Sequence, residues 1–208
     1  EFGNIYSRIG NPTVGALEAR LTALEDGAMC VALSSGTSAV MYSLINIMSQ
    51  GDNFISASQL YGGTYTMFDN ILPEYGINAK KVDITDFKAV EESIDEKTRA
   101  IYCETITNPG LVVADITALS EIAHANGIPL IVDATFTTSA IQKSFDFGAD
   151  IVVYSLTKWM SGHGRVIAGA VIEKGGFNWG NGNFPLYDKP DTSYGGMRWG
   201  HDLGDLSN

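Results

Sequence analysis

Two hydroxyls and an amine sit within the stretch Ser155-Leu-Thr-Lys158, directly after the apolar run Ile151-Val-Val-Tyr154. A short apolar run of this kind reads as a buried strand, which would deliver all three groups together at its end. Hydroxyls donate hydrogen bonds to phosphate oxygens. A lysine at the dry end of a strand sheds its proton more easily and can attack a carbonyl carbon. Upstream, the apolar run Leu130-Ile-Val132 ends in a single carboxylate, Asp133. An amine that condenses with an aldehyde and a carboxylate that keeps a pyridinium nitrogen protonated are the two groups that pyridoxal phosphate chemistry asks of a protein.

Other residues extend this pattern, each with a plain structural alternative. Ser34-Ser-Gly-Thr-Ser38 lies between a strand and a helix, so Gly36 lets the backbone approach an anion while the N–H groups of Gly36 and Thr37 face it. The same turn is common for structural reasons alone; beside Ser155 and Thr157 it reads as a second arm of a phosphate cup. It is neither a dinucleotide fingerprint nor a Walker loop. Tyr61-Gly-Gly63 presents an aromatic ring on which a planar cofactor can stack, or simply a tyrosine packed at a helix start. Asn108-Pro-Gly110 is a turn signal whose Asn108 can donate to a phenolic oxygen. In the arm Tyr6-Ser-Arg8 the guanidinium suits a phosphate, although a lone arginine is often only solvated. His163, in Gly162-His-Gly164, reads as shaping the turn after Lys158, and His124 as a surface helix residue. No His, Cys and carboxylate grouping has metal-ligand spacing, so no metal is expected.

The elements that must position these groups alternate along the chain. After an extended segment from Tyr6 to Thr13, Leu17, Leu21 and Leu24 recur at helical spacing with Gly27 as the stop, reading as an amphipathic helix. Strands are expected at Met29–Leu33, Phe54–Ser56, Lys81–Asp83, Ala100–Glu104 and Leu130–Asp133. Helices are expected at Ser38–Met48, after Gly63, at Phe87–Ile94 and at Thr117–Ala125, the last capped by Asp115. Val- and Ile-rich strands separated by helices argue for an α/β fold: a mainly parallel sheet covered on both faces, with ligands at the carboxyl ends of its strands. The expected organisation is an arm and first helix over residues 1–27, a large α/β domain over 28–174 and an irregular tail from 175 to 208. Glu1-Phe-Gly-Asn-Ile reads like the middle of something, so an incomplete chain is expected.

The 208 residues carry 13 Lys and Arg against 24 Asp and Glu, a net charge of -11 that repels phosphate backbones and anionic lipid. Nucleic-acid and membrane-surface partners are therefore excluded as first readings, and no apolar run is long enough to span a bilayer. Cys30 and Cys103 each fall inside an apolar strand, as small buried hydrophobes of a reducing, cytoplasmic compartment.

Taken in order, these segments resemble the pyridoxal-phosphate family of Cys/Met metabolism, which includes cystathionine synthases and lyases, methionine γ-lyase and O-acetylhomoserine sulfhydrylase. The resemblance rests on Tyr6-Ser-Arg-Ile-Gly-Asn-Pro-Thr13, Ser35-Gly-Thr-Ser-Ala39, Tyr61-Gly62, Glu104-Thr-Ile-Thr-Asn-Pro109, Val132-Asp133 and Ser155-Leu-Thr-Lys158. It implies a fold type I transferase with pyridoxal 5'-phosphate on Lys158, Asp133 at the ring nitrogen, and Tyr61 stacked on the ring as an aid to proton transfer. It also implies Asn108 at the phenolic oxygen and Gly36, Thr37, Ser155 and Thr157 at the phosphate. Tyr6 and Arg8 would be donated to a neighbouring subunit of a homo-oligomer, a dimer of dimers. Gly162-His-Gly-Arg165 and the segment from Gly176 to Tyr194 look most like the sulfhydrylases, implying that sulfide displaces acetate from O-acetyl-L-homoserine to give L-homocysteine in methionine biosynthesis. A methionine γ-lyase or cystathionine γ-synthase needs the same cofactor residues, and a catalytically incomplete fragment acting as an interaction unit is the alternative of another class. Ala134 departs from the Asn of many relatives, and the resemblance implies that the family's small C-terminal domain, with its carboxylate-binding arginine, is not among these 208 residues.

Overall fold

The computed structural model describes residues 6–203. Helix α1 (Pro12–Glu25) starts where the Asn11 side chain accepts from the N–H groups of Thr13 and Val14, at 3.0 and 3.3 Å, with Pro12 already fixed at a helical φ. The helix therefore begins inside the segment expected to be extended. Its left-handed terminator is Asp26, at φ 56°, and not Gly27. Gly27 answers a different need: a Cβ there would lie 2.8 Å from Ile172 Cγ2 and 2.9 Å from the Glu173 carbonyl. Of the three leucines at helical spacing, only Leu21 is buried; Leu17 and Leu24 stay exposed, as does Val14.

Seven strands form one sheet: β1 (Met29–Leu33), β2 (Asn53–Ala57), β3 (Asn78–Val82), β4 (Thr98–Glu104), β5 (Leu130–Asp133), β6 (Ile151–Ser155) and β7 (Gly169–Glu173). Their order is β1-β7-β6-β5-β4-β2-β3. The pairings β2–β3, β2–β4, β4–β5 and β5–β6 are parallel, while β7 runs antiparallel to both β6 and β1. Strand β7 is absent from the sequence expectation, β3 begins before Lys81, and β4 begins at Thr98. The central strands β2 and β4 are buried at every position, as a sheet covered on both faces requires. Edge strand β1 differs, leaving Met29 and Val31 exposed.

Helices α2 (Gly36–Ile45), α3 (Gly62–Thr66), α4 (Phe87–Glu92) and α5 (Ile116–Ala125) make the principal crossovers. Asp86 and Asp115 cap α4 and α5 through the N–H groups of Ala89 and Ala118, both at 3.0 Å. Ser35 caps α2 by accepting from Ser38 N–H at 3.0 Å, which moves the helix start back to Gly36. Phe68, on the wide turn that continues α3, meets Phe54 and Tyr102 edge-on at 4.8 and 5.1 Å, tying β2 and β4 into the core. Beyond β7 the chain has little regular structure, yet Phe177, Trp179, Phe184 and Tyr187 pack as one aromatic group, with Phe184 fully buried.

Candidate active site

The strands β4, β5 and β6 point their carboxyl ends the same way, and a cavity of about 820 Å³ opens there. Its wall brings together Gly36, Thr37, Tyr61, Asn108, Asp133, Ser155, Thr157 and Lys158, eight residues singled out by their types and spacing. Tyr6 and Arg8 are not part of this wall; Tyr6 is half-exposed, with the Arg8 guanidinium 5.3 Å from the centre of its ring.

One corner is defined by close backbone approach. Gly36, the first residue of α2, lies so near the end of β6 that a Cβ would stand 2.5 Å from Ser155 Cβ. Gly169 of β7 passes beneath, where a Cβ would meet the Ser35 carbonyl at 2.0 Å. Two glycines thus let the α2 start, Ser155 and β7 crowd together. An N-terminus with unpaired N–H groups beside a serine hydroxyl is a fit for a phosphate. Thr157 is partly committed elsewhere: its hydroxyl donates to the Ala168 carbonyl at 3.3 Å and accepts from Ala168 N–H at 3.1 Å.

Asp133, last residue of β5, accepts from Thr135 N–H at 2.9 Å and from the Tyr102 hydroxyl at 3.3 Å. Burial pushes its carboxyl above the usual range, and those hydrogen bonds only partly oppose the shift. Tyr102 is itself fully buried and its phenol is pushed well up, chiefly by burial, so it stays a donor. Thr135 also accepts from Ser155 N–H at 2.8 Å, linking the ends of β5 and β6. A carboxylate this desolvated is poised for a cationic ring nitrogen, and the residues present fit pyridoxal phosphate.

Lys158 differs from its expectation. It lies on the turn after β6 and is exposed, because the chain leaves the strand after Ser155, and Thr157, Lys158 and Trp159 line the open cavity. The dry strand end inferred for it is not where it stands. His163 lies just beyond, its Nδ1 donating to the Ser161 carbonyl. His124 is half-exposed and pairs with Asp150 at 2.9 Å, so it carries more than a surface position. Cys30 and Cys103 are both buried free thiols, each pushed up to about 12 chiefly by burial.

Tyr61 precedes α3 with its ring lying over Gly63, where a Cβ would be 2.7 Å from Tyr61 Cε1. A residue given no role by the sequence reading holds it from below. Glu104 is 5% exposed at the end of β4; its Oε1 accepts from Tyr61 N–H at 2.7 Å and its Oε2 from Asn108 N–H at 3.0 Å. Burial, with Asp133 adding to it, pushes the Glu104 carboxyl up to about 7. Its only sequence signal is a carboxylate closing an otherwise apolar strand; Thr135, two residues past Asp133, gave less.

Known proteins resemble this chain in sequence and in fold. O-acetyl-L-homoserine sulfhydrylase of Leptospira meyeri is 45% identical over 199 residues, covering 96% of this chain and 45% of the relative. Homocysteine synthase of Schizosaccharomyces pombe is 44% identical over 210 residues, covering 100% and 49%. The chain therefore spans about half the length of the curated relatives it matches. Among solved structures, a putative O-acetylhomoserine (thiol)-lyase from Campylobacter jejuni, described with N'-pyridoxyl-lysine-5'-monophosphate, superposes with a TM-score of 0.93 at 39% identity, covering 100% of this chain and 52% of that one. Cystathionine gamma-lyase from Lactobacillus plantarum gives 0.78 at 40% identity, covering 84% and 47%. The fold is that of the type I pyridoxal-phosphate enzymes. With the family described as Cys/Met metabolism PLP-dependent enzyme matching residues 1–193, the chain belongs to that family.

Proposed function

We propose that this chain holds pyridoxal 5'-phosphate on Lys158 and forms the cofactor half of an enzyme that makes L-homocysteine and acetate from O-acetyl-L-homoserine and sulfide. The observation that carries the site is the convergence of Lys158, Asp133 and the Gly36–Ser155 corner in one cavity at the carboxyl ends of parallel strands. The reaction is supported by the names of the relatives at 43–45% identity.

Pyridoxal phosphate, when bound, supplies an electron sink that makes substrate carbon acids accessible. The protein's part is orientation and proton traffic. The Lys158 amine would hold the cofactor aldehyde and, when free, could carry a proton between neighbouring substrate carbons. Its exposed place on a turn suits a group that must move. Asp133 would keep the ring nitrogen protonated, since its desolvated carboxylate would gain from a positive charge placed beside it. Tyr61 would pack against the ring and could assist proton transfer to the γ substituent, while Asn108 would be the donor for the phenolic oxygen. Gly36, Thr37, Ser155 and Thr157 would hold the phosphate. Tyr6 and Arg8, outside the cavity wall, complete the phosphate contacts of a second copy in a homo-oligomer.

The test uses the intact enzyme. Borohydride reduction and peptide mapping should place the cofactor on Lys158; an adduct on Lys143 or Lys174 overturns the site. O-acetylhomoserine with sulfide should yield homocysteine, and methionine alone little 2-oxobutanoate. Rapid 2-oxobutanoate from methionine with poor homocysteine synthesis would replace the sulfhydrylase by a lyase and leave the cofactor residues standing.

A further inference from the structure

Tyr61 and Asn108 stand on two segments at the cavity, one before α3 and one after β4; the second closes on itself through Thr107 N–H to the Val112 carbonyl and Val112 N–H to Thr107 Oγ1, both at 2.9 Å, but none of those bonds reaches the first. Helix α3 has no side-chain cap at its start, and Tyr61 is half-exposed. What joins the two segments is one buried carboxylate: Glu104 accepts from Tyr61 N–H at 2.7 Å with one oxygen and from Asn108 N–H at 3.0 Å with the other. Backbone N–H groups cannot rotate away as side chains can, so two such bonds fix the positions of both segments relative to the end of β4. The carboxylate faces Asp133, paired in register with it on β5, the Tyr102 hydroxyl on Asp133 and the neighbouring Cys103 thiol. Lys158 is the basic side chain of the cavity wall.

We propose that Glu104 is a positioning residue, fastening the ring-stacking Tyr61 and the ring-edge Asn108 to a single carboxylate so that the two sides of the cofactor cavity hold one spacing. The proposal rests on the reading of this cavity as a pyridoxal phosphate site. Glu104 need not touch the substrate; it acts through the two residues whose backbones it holds. A longer or shorter side chain fails for a simple reason: both oxygens are in use, and the two donors belong to segments 43 residues apart in sequence on one side and four on the other.

Glu104→Gln keeps the volume but turns an amide NH₂ towards one of the two N–H groups. With the cofactor-loaded intact enzyme, losing one charge-assisted hydrogen bond should speed pyridoxal phosphate release about tenfold and lower kcat by about the same factor, with KM within about twofold. The visible circular dichroism of bound cofactor, which reports ring orientation, should change. In a Tyr61→Phe background the further loss in kcat should fall below about threefold, because the residue being positioned is already impaired. Cofactor release, kcat and dichroism all within twofold of wild type overturn the proposal, as does full additivity with Tyr61→Phe. Should the Gln variant not fold, Glu104→Asp decides: the charge remains but the reach is one methylene short, and wild-type cofactor release and dichroism overturn the proposal. A wild-type enzyme that takes up no pyridoxal phosphate on Lys158 overturns the site reading and this proposal together. Uptake with an unaffected Glu104 variant overturns the proposal alone.

Discussion

The two edges of the same sheet treat their carboxylates in opposite ways. At the amino ends of the strands three acids meet a base: Asp52 meets Arg99 at 3.0 Å, Asp150 meets His124 at 2.9 Å and Asp95 meets Lys80 at 2.6 Å. A hollow of about 260 Å³ also lies at this edge, bordered by Asp95, Arg99, Asn126 and Asn183, and its Asp95 and Arg99 are already paired. At the carboxyl ends, Glu104 and Asp133 are held by N–H and hydroxyl donors, with no basic partner among the described residues. Burial raises both. A buried acid without a cation is a cost to folding that a functional partner can relieve. The difference between the edges lies in the partner: Asp52, Asp95 and Asp150 have basic side chains, while Glu104 and Asp133 have neutral donors.

The largest effect expected from breaking this contrast is at the paired edge. Arg99→Ala strands Asp52, 7% exposed, as an uncompensated buried charge, and should cost about 3–5 kcal/mol of unfolding free energy, read from the shift in denaturation midpoint. Adding Asp52→Asn should recover part of the loss. Cofactor uptake at the opposite edge should survive under conditions where the variant stays folded. A loss below about 1 kcal/mol would mean that pairing is not what holds this edge.

How much of this was legible in the sequence depends on how local each signal was. Gly36, Asp133 and Ser155 fall at the junctions of apolar runs with turns, so their placement follows from the nearest few residues. Glu104 was visible as the end of a strand, but its partner Tyr61 is 43 residues away and no spacing rule connects them. Leu17 and Leu24 show that periodicity reports an apolar stripe without saying what covers it. Strand β7 opens with Gly169 and is short, so the close approach to Ser35 that requires the glycine also weakened its strand signal. The aromatic group from Phe177 to Tyr187 has no period at all; ring-on-ring packing organised it, with Trp179 and Tyr187 stacked at 5.4 Å.

A smaller effect should appear as pH dependence. The folded, cofactor-free protein holds the Glu104 proton up to about pH 7, whereas the unfolded chain releases it near 4.5. Stability from this group is therefore complete below 4.5 and is lost as pH rises to 7, by about 3 kcal/mol over the window. Glu25, Asp133 and Asp150 are raised as well and act in the same direction. Glu104→Gln should thus make the fall in unfolding free energy shallower without flattening it. An unchanged slope would remove Glu104 from the set of desolvated acids.

The smallest energy, and the sharpest division between the two edges, belongs to Asp133→Asn. The amide keeps nearly the same shape, can still accept from Thr135 N–H, and leaves Tyr102 a polar neighbour. It removes the charge that burial disfavours, so the cofactor-free protein should be as stable as wild type or slightly more so. If Asp133 faces the ring nitrogen as proposed, the same change in the loaded enzyme takes away a preorganised negative charge, and turnover should drop on the order of 10²-fold, about 2.7 kcal/mol in the barrier. Arg99→Ala would then lose stability and keep the site, while Asp133→Asn would keep stability and lose the site's chemistry. Wild-type turnover in Asp133→Asn with cofactor present would show that Asp133 does not serve the ring nitrogen. A large drop in stability would show instead that its carboxylate is structural, and the unpaired acid would no longer mark the functional edge.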